Sequence, residues 1–323
     1  MKRRVIYIAN FIKKTYIAWD SNDPFAQSAI IAYYTLFSLP SLLMIVTTIA
    51  GQFVGREAVT GRISSEIGNY IGEGSAEAVE DMISNVALTD GGAFTIIVGI
   101  GALLYGATGV FFQMKKAMNN IWNVREKKQT FIRMLINRAI SFGMILVIGF
   151  LLLVSFMITA AVGAFSEYLN DTAPVIASVF ADSFNFVFSF IFITALFAAI
   201  FKILPDVKMT YKTTILGASI TAALFLVGEF ALGYYFSASN PASVYGGAAS
   251  VVLILLWVNY TCLILFFGAE ITVQYALATK HKIVPNSHAE LAYNQEMQEL
   301  KEKEEEVAKN KKKAKKLMEN PEE

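Results

Sequence analysis

The chain has 323 residues, 55% hydrophobic and only 16% charged, with a net charge of +1. Soluble domains carry roughly 25% charged residues, so this composition excludes an ordinary water-soluble protein and points to an integral membrane protein, with no general attraction for nucleic acid. A single cysteine, Cys262, and two histidines, His281 and His288, exclude an internal disulfide and a cysteine zinc site, and leave the apolar part of the chain without histidine chemistry.

Residues 1–25 set Lys2, Arg3, Arg4, Lys13 and Lys14 around Val5, Ile8, Ile12 and Trp19, the spacing of a cytoplasmic amphipathic helix lying on an anionic leaflet. The apolar run 26–53 is the first expected span, too long for the core of a cleaved signal. In it Gln27, Tyr34 and Ser41 recur every seven residues with Ser38 between them. Pro40 removes an amide and frees the carbonyl of Leu36, which hydroxyls at Ser38 and Ser41 are expected to satisfy. Residues 54–91 hold seven acids and two arginines. They read as an extracytoplasmic loop of two short helices broken at Gly72-Glu73-Gly74.

The second span, 92–114, carries Gly92, Gly99, Gly106 and Gln113, with Asn120 continuing the same heptad spacing; such a stripe lets a neighbouring helix approach closely. A basic stretch to Arg138 leads into a third span, 136–165. The fourth is 179–201, with Asp182 and Asn185. The link 202–212 holds Lys202, Lys208 and Lys212, and the fifth span, 213–236, holds Glu229. The sixth, 247–279, is an almost unbroken apolar run with Glu270 late inside it. A charge there costs on the order of 2.5 kcal/mol or more unless neutralised, paired or hydrated. At 100° per residue Asn259, Glu270 and Gln274 fall within about 60° of one another. Residues 281–323 read as a charged cytoplasmic tail in which both histidines are solvated.

Cations number five before the first span, seven between the second and third, three between the fourth and fifth and ten after the sixth, against two, none and none in the alternate loops. The expected fold is therefore all-α: a polytopic protein of the bacterial cytoplasmic membrane, with six transmembrane helices and both termini cytoplasmic. The basic loops lie at the membrane surface, so anionic lipid headgroups are nearer partners than nucleic acid.

Five blocks in order, AYYTLFSLPSLL (32–43), YGATGVFFQMKKAMNNIW (105–122), FKILPD (201–206), SVYGGAASVVLILLW (243–257) and FFGAE closing at Glu270, resemble the YihY/virulence factor BrkB family of bacterial inner-membrane proteins over about residues 20–280. The resemblance implies a six-span inner-membrane protein, with members linked to serum resistance in one branch, to envelope lipid export in another, and once labelled a tRNA-processing ribonuclease. The residues give that last label no support. No cluster of carboxylates or histidines stands in the expected cytoplasmic loops to hold a metal or move a proton, and no GxxxxGK[ST] is present for ATP-driven work.

What remains is the intramembrane polar set: Tyr34, Ser38 and Pro40 in span one, Gln113 and Asn120 on the stripe of span two, Lys202 at the end of span four, Glu229 in span five, and Asn259, Glu270 and Gln274 in span six. The expectation is a transporter-like protein, not an enzyme, with no cofactor or metal, moving or flipping an amphipathic or lipid-like envelope substrate through a groove between spans one, two, five and six. The alternatives are a non-transporting envelope scaffold and, last, a membrane-tethered tRNA ribonuclease. A structural ion pair of Glu270 with Lys202 or Arg138 stays open at this point.

Overall fold

The computed structural model describes residues 2–71, 93–127, 174–239, 249–279 and 283–293, together with isolated helical positions at 80, 143, 158, 162, 297 and 307. Its elements in chain order are α1 (Lys2–Ser21), α2 (Pro24–Val54), α3 (Arg56–Ile71), α4 (Ala93–Ile121), β1 (Val124–Glu126), α5 (Pro174–Ile203), β2 (Val207–Lys208), α6 (Tyr211–Ser239), α7 (Ala249–Ala278), β3 (Val284–Pro285) and β4 (Ala289–Leu291). Among the described residues three helices are long and apolar enough to cross a membrane, at Phe186–Ile203, Tyr211–Phe236 and Val251–Ala278. The 26 and 28 residues of the last two reach about 40 Å at 1.5 Å each, beyond the roughly 30 Å of a hydrocarbon layer.

Helices α2, α5, α6 and α7 coincide with the expected spans one, four, five and six to within about five residues, and α4 with span two plus the amphipathic continuation that follows it. α3 is the first of the two expected loop helices. The third span, Arg138 and the break at Gly72-Glu73-Gly74 lie outside the described residues.

α1 turns into α2 through Asn22 and Asp23. Asp23 adopts φ 50°, the Asn22 amide donates to the Ala18 carbonyl at 2.9 Å, and Pro24 opens α2 where a missing N–H costs nothing. α2 then continues through Pro40 without a break. The Ser38 hydroxyl donates to the carbonyl of Thr35 at 3.1 Å, not to that of Leu36 as expected. A helical hydroxyl reaches the carbonyl three or four residues back, and Leu36 is only two away.

The core lies toward one end of the bundle, where α4 finishes, α5 finishes and α6 begins. Met118, Trp122, Phe201 and Phe266 are buried there with Ala218, Ala222 and Ala269. The small side chains let α5, α6 and α7 approach, and the aromatic ones fill what the alanines leave.

The expectation of a solvated tail from residue 281 needs correction. Residues 283–293 return across this end of the bundle as a strap. β4 pairs antiparallel with β1 (Val124↔Leu291, Arg125↔Glu290, Glu126↔Ala289), and β3 pairs with β2 (Val207↔Pro285, Lys208↔Val284). Ala289 and Ala292 are buried. Strands of two or three residues are too short to show alternation, so composition alone hides them. His281 and most residues beyond 293 lie outside the described residues.

Candidate functional site

Among the described residues Glu270 is the most deeply placed acid of the membrane helices, only 2% exposed on α7. Gln274, one turn on, donates its amide to Glu270 Oε1 at 2.8 Å, whereas Oε2 is buried and has no hydrogen-bond partner among the described residues. The pairing with Lys202 that the sequence left open is not made. The Lys202 ammonium donates to the carbonyl of Met209 and sits 4.3 Å from the ring centroid of Tyr211. It is held at the end of α5 by the loop it precedes.

Of the stripe on α7, Glu270 and Gln274 act together. Asn259, half-buried, is eleven residues or about 16 Å away along the helix and belongs to another level. Glu229 of α6 is half-buried beside Tyr260 of α7, whose hydroxyl end fills the space left by Gly228. That level is ten residues, or about 15 Å, from Glu270. The two carboxyls therefore form no dyad.

The α2–α4 face is a tight crossing rather than an opening. A Cβ on Gly106 would lie 2.4 Å from Ser38 Cβ, and one on Gly109 would lie 2.4 Å from the ring of Tyr34, so Ser38 and Tyr34 pack on helix backbone. The Gln113 amide donates to the Gln27 side chain. The heptad stripe thus does allow close approach at Gly106 and Gln113, but its next member, Asn120, is exposed. Pro40 is half-buried. The side chains of Ser41, Asp182 and Asn185 lie outside the described ones.

Glu270 is held by an arrangement that sequence reasoning missed. Gly217-Ala-Ser-Ile-Thr221 on α6 and Gly268-Ala-Glu-Ile-Thr272 on α7 are near-copies, and each glycine receives the other helix's threonine. A Cβ on Gly217 would stand 1.9 Å from Thr272 Oγ1, and one on Gly268 would stand 1.9 Å from Thr221 Oγ1. Each hydroxyl donates at 2.7 Å to the carbonyl of the glycine on its own helix, so both threonine hydroxyls are paired and the backbones meet closely. The two five-residue copies were the available signal. Glu270 stands at the position where α6 carries Ser219.

A second polar cluster, also missed, joins the helix ends to the strap. Asp206, 4% exposed, accepts from Asn119 Nδ2 at 2.9 Å, from Lys115 Nζ at 3.0 Å and from His288 Nε2 at 2.8 Å. Its own N–H donates to Asn119 Oδ1 at 2.8 Å, and its carbonyl accepts from the Asn286 N–H at 2.8 Å. Lys115 also reaches Glu126 Oε1 at 2.6 Å. Burial raises the Asp206 carboxyl above its ordinary 3.8, outweighing the downward pull of Asn119 and Lys115, and the nearby Glu126 charge adds to the rise. His288, expected to be solvated, is the side chain by which the strap reaches the Asp206 carboxyl. Among the described residues no group of three or more His, Cys, Asp or Glu side chains is placed to hold a metal ion.

The chain is 26% identical to a UPF0761 membrane protein of Photobacterium profundum, over 75% of this chain and 73% of that one. It is 24% identical to one from Pseudoalteromonas translucida, over 75% and 78%, and 26% identical to one from Vibrio vulnificus, over 75% and 74%. No solved structure matches it. The family model described as Virulence factor BrkB matches residues 16–291, ending on the last residue of β4 and so taking in the strap. By that match this membrane protein belongs to the virulence factor BrkB family.

Proposed function

We propose that this chain is a transporter-like protein of the bacterial cytoplasmic membrane, without enzymatic activity, that moves or flips an amphipathic, lipid-like envelope substrate, with both termini and the strap on the cytoplasmic side. The observation that carries this reading is the Glu270 carboxyl, buried inside a membrane helix with one oxygen bound to Gln274 and the other lacking a donor among the described residues. A carboxyl kept for bracing has both oxygens engaged, because an unmet buried acceptor costs about 1–3 kcal/mol. A carboxyl that takes a proton, a cation or a cationic headgroup in part of a cycle has a reason to leave one oxygen open.

The tight crossings at Gly106, Gly109, Gly217 and Gly268 support a rigid frame around that acid. In this reading the arrangement is the closed one, and substrate passage requires α2 and α4 to part from α6 and α7. The test is reconstitution of the purified protein into vesicles carrying a trace of headgroup-labelled phospholipid, followed by quenching from outside with an impermeant reductant. Protein-dependent loss of the protected inner-leaflet signal, slowed by Glu270→Gln, is the expected result. Vesicles that keep the same protected fraction as empty ones, with phosphatidylglycerol and phosphatidylethanolamine alike, contradict the proposal.

A further inference from the structure

The strap joins two parts of this end of the bundle. β4 pairs with β1, which continues α4, and the Ala292 N–H donates to the Asn123 carbonyl at 3.0 Å. β3 pairs with β2, which lies between α5 and α6, and the Asn286 N–H donates to the Asp206 carbonyl at 2.8 Å. The strap thus clips the end of α4 to the α5–α6 link. Its two strands meet in the turn Asn286–Ala289, closed by a 3.0 Å bond from the Ala289 N–H to the Asn286 carbonyl, and His288 lies in that turn.

His288 brings the strap a group that changes charge. Its Nε2 is 2.8 Å from Asp206 Oδ1, and its side chain is 33% exposed, open to protons from water. An ionised carboxylate only accepts, so Nε2 carries the hydrogen and an added proton goes to Nδ1. The surrounding charges decide what that proton does. From α4, Lys115 reaches Asp206 at 3.0 Å and Glu126 of β1 at 2.6 Å, one cation for two acids. With His288 neutral these four groups carry one negative charge in excess, and with His288 protonated they balance. Of the other charged groups on these strands, Lys127 is exposed and donates to the Ser287 carbonyl at 3.5 Å. Arg125 and Glu290 stand opposite each other in register, on the face of β1 away from Glu126, and Lys208 is exposed opposite Val284.

We infer that the strap is a pH-sensitive latch, which proton uptake by His288 tightens across the ends of α4 and the α5–α6 link and which proton loss loosens. The ion pair with Asp206 needs a protonated imidazole, and an imidazole changes charge near pH 6.5 in model peptides. The added hold is therefore present in mild acid and lost as pH rises through neutrality. Only its consequence for passage, that acidification on the strap's side favours the closed arrangement, rests on the transport reading.

The test is hydrogen exchange of the full-length protein in detergent at about pH 5.5 and about pH 8, either side of the imidazole range, with each rate divided by that of an unstructured peptide at the same pH. The amides of Asn286, Ala289 and Ala292 are about fivefold better protected at the lower pH, the worth of a part-exposed ion pair, while amides in the middle of α6 and α7 do not change. His288→Gln, which keeps a donor for Asp206 and does not titrate, abolishes the difference. The inference is overturned if strap protection in the wild type is equal at the two pH values or falls on acidification, or if the rise survives in His288→Gln, which would place the proton on Asp206. The wild-type comparison decides even where the variant disturbs the turn. Transport enters neither measurement, so a failed latch leaves the transport reading standing, and a failed transport assay leaves the latch.

Discussion

Replacing Asp206 by Ala removes the acceptor on which three donors converge at a site only 4% exposed. Asn119 Nδ2, Lys115 Nζ and His288 Nε2 lose contacts of 2.9, 3.0 and 2.8 Å, and removing one partner of a buried charged network costs roughly 3–5 kcal/mol. The lower end applies here, about 3 kcal/mol, because Lys115 keeps Glu126 at 2.6 Å. Of the three lost contacts the one to His288 belongs to the strap, which then keeps only the Asn286 N–H bond to the backbone carbonyl of residue 206 as its link to that position.

Hydrogen exchange resolves this. The amides of Asn286, Ala289 and Ala292 are bonded to the carbonyls of Asp206, Asn286 and Asn123, and in Asp206→Ala they exchange on the order of a hundredfold faster, the factor that corresponds to 3 kcal/mol. Amides in the middle of α6 and α7 stay as protected as in the wild type. Unchanged exchange in the strap, or an equal rise throughout α5, α6 and α7, would refute the claim that Asp206 acts as the strap's anchor.

Gly217→Ala sets a methyl 1.9 Å from Thr272 Oγ1, and forcing α6 from α7 lowers stability by about 1–3 kcal/mol. A thermal-unfolding midpoint in detergent equal to the wild type's would show that the crossing yields easily. The raised Asp206 carboxyl gives a pH effect of definite sign. The folded state holds that proton more tightly than the unfolded chain, so the proton-linked part of Asp206's contribution to stability is full below 3.8 and is lost as pH rises through the higher folded value. Wild-type stability minus that of Asp206→Asn therefore grows on acidification from neutrality, and a difference that shrinks contradicts this. Single cysteines at Ser75, Thr172 and Ser239 in a Cys262→Ala background are expected to react with an impermeant reagent in intact cells; reaction at Gln129 would reverse the proposed topology.

Much of the frame was legible because apolar runs near thirty residues long leave little choice in water or lipid. Gly106 and Gln113 were found by their spacing, and Glu270 by its cost. The same spacing failed one step later, at Asn120. A heptad drifts about 20° per repeat on a straight helix, and at the end of α4 the neighbour is no longer α2 but the segment carrying Asp206. The residue that turns inward there is Asn119.

The helix-end cluster was illegible for a different reason. Lys115, Asn119, Glu126, Asp206 and His288 are scattered over more than half the chain and share no period. They are brought together by pairs of strands two or three residues long, so the strap was read as part of a solvated tail. The reciprocal Gly–Thr crossing could have been found, because its two near-copies stand in plain sight fifty-one residues apart.

The proposed function turns on whether the open oxygen of Glu270 is used. The direct measurement is growth under envelope stress of a strain that depends on this protein, carrying wild type, Glu270→Gln or Glu270→Asp, with membrane abundance and thermal stability measured alongside. Gln keeps the shape and can still pair with Gln274, so the account predicts a Glu270→Gln protein that is as abundant and as stable as wild type yet inactive, with Glu270→Asp retaining part of the activity. A Glu270→Gln protein that is equally abundant, equally stable and fully active would contradict it.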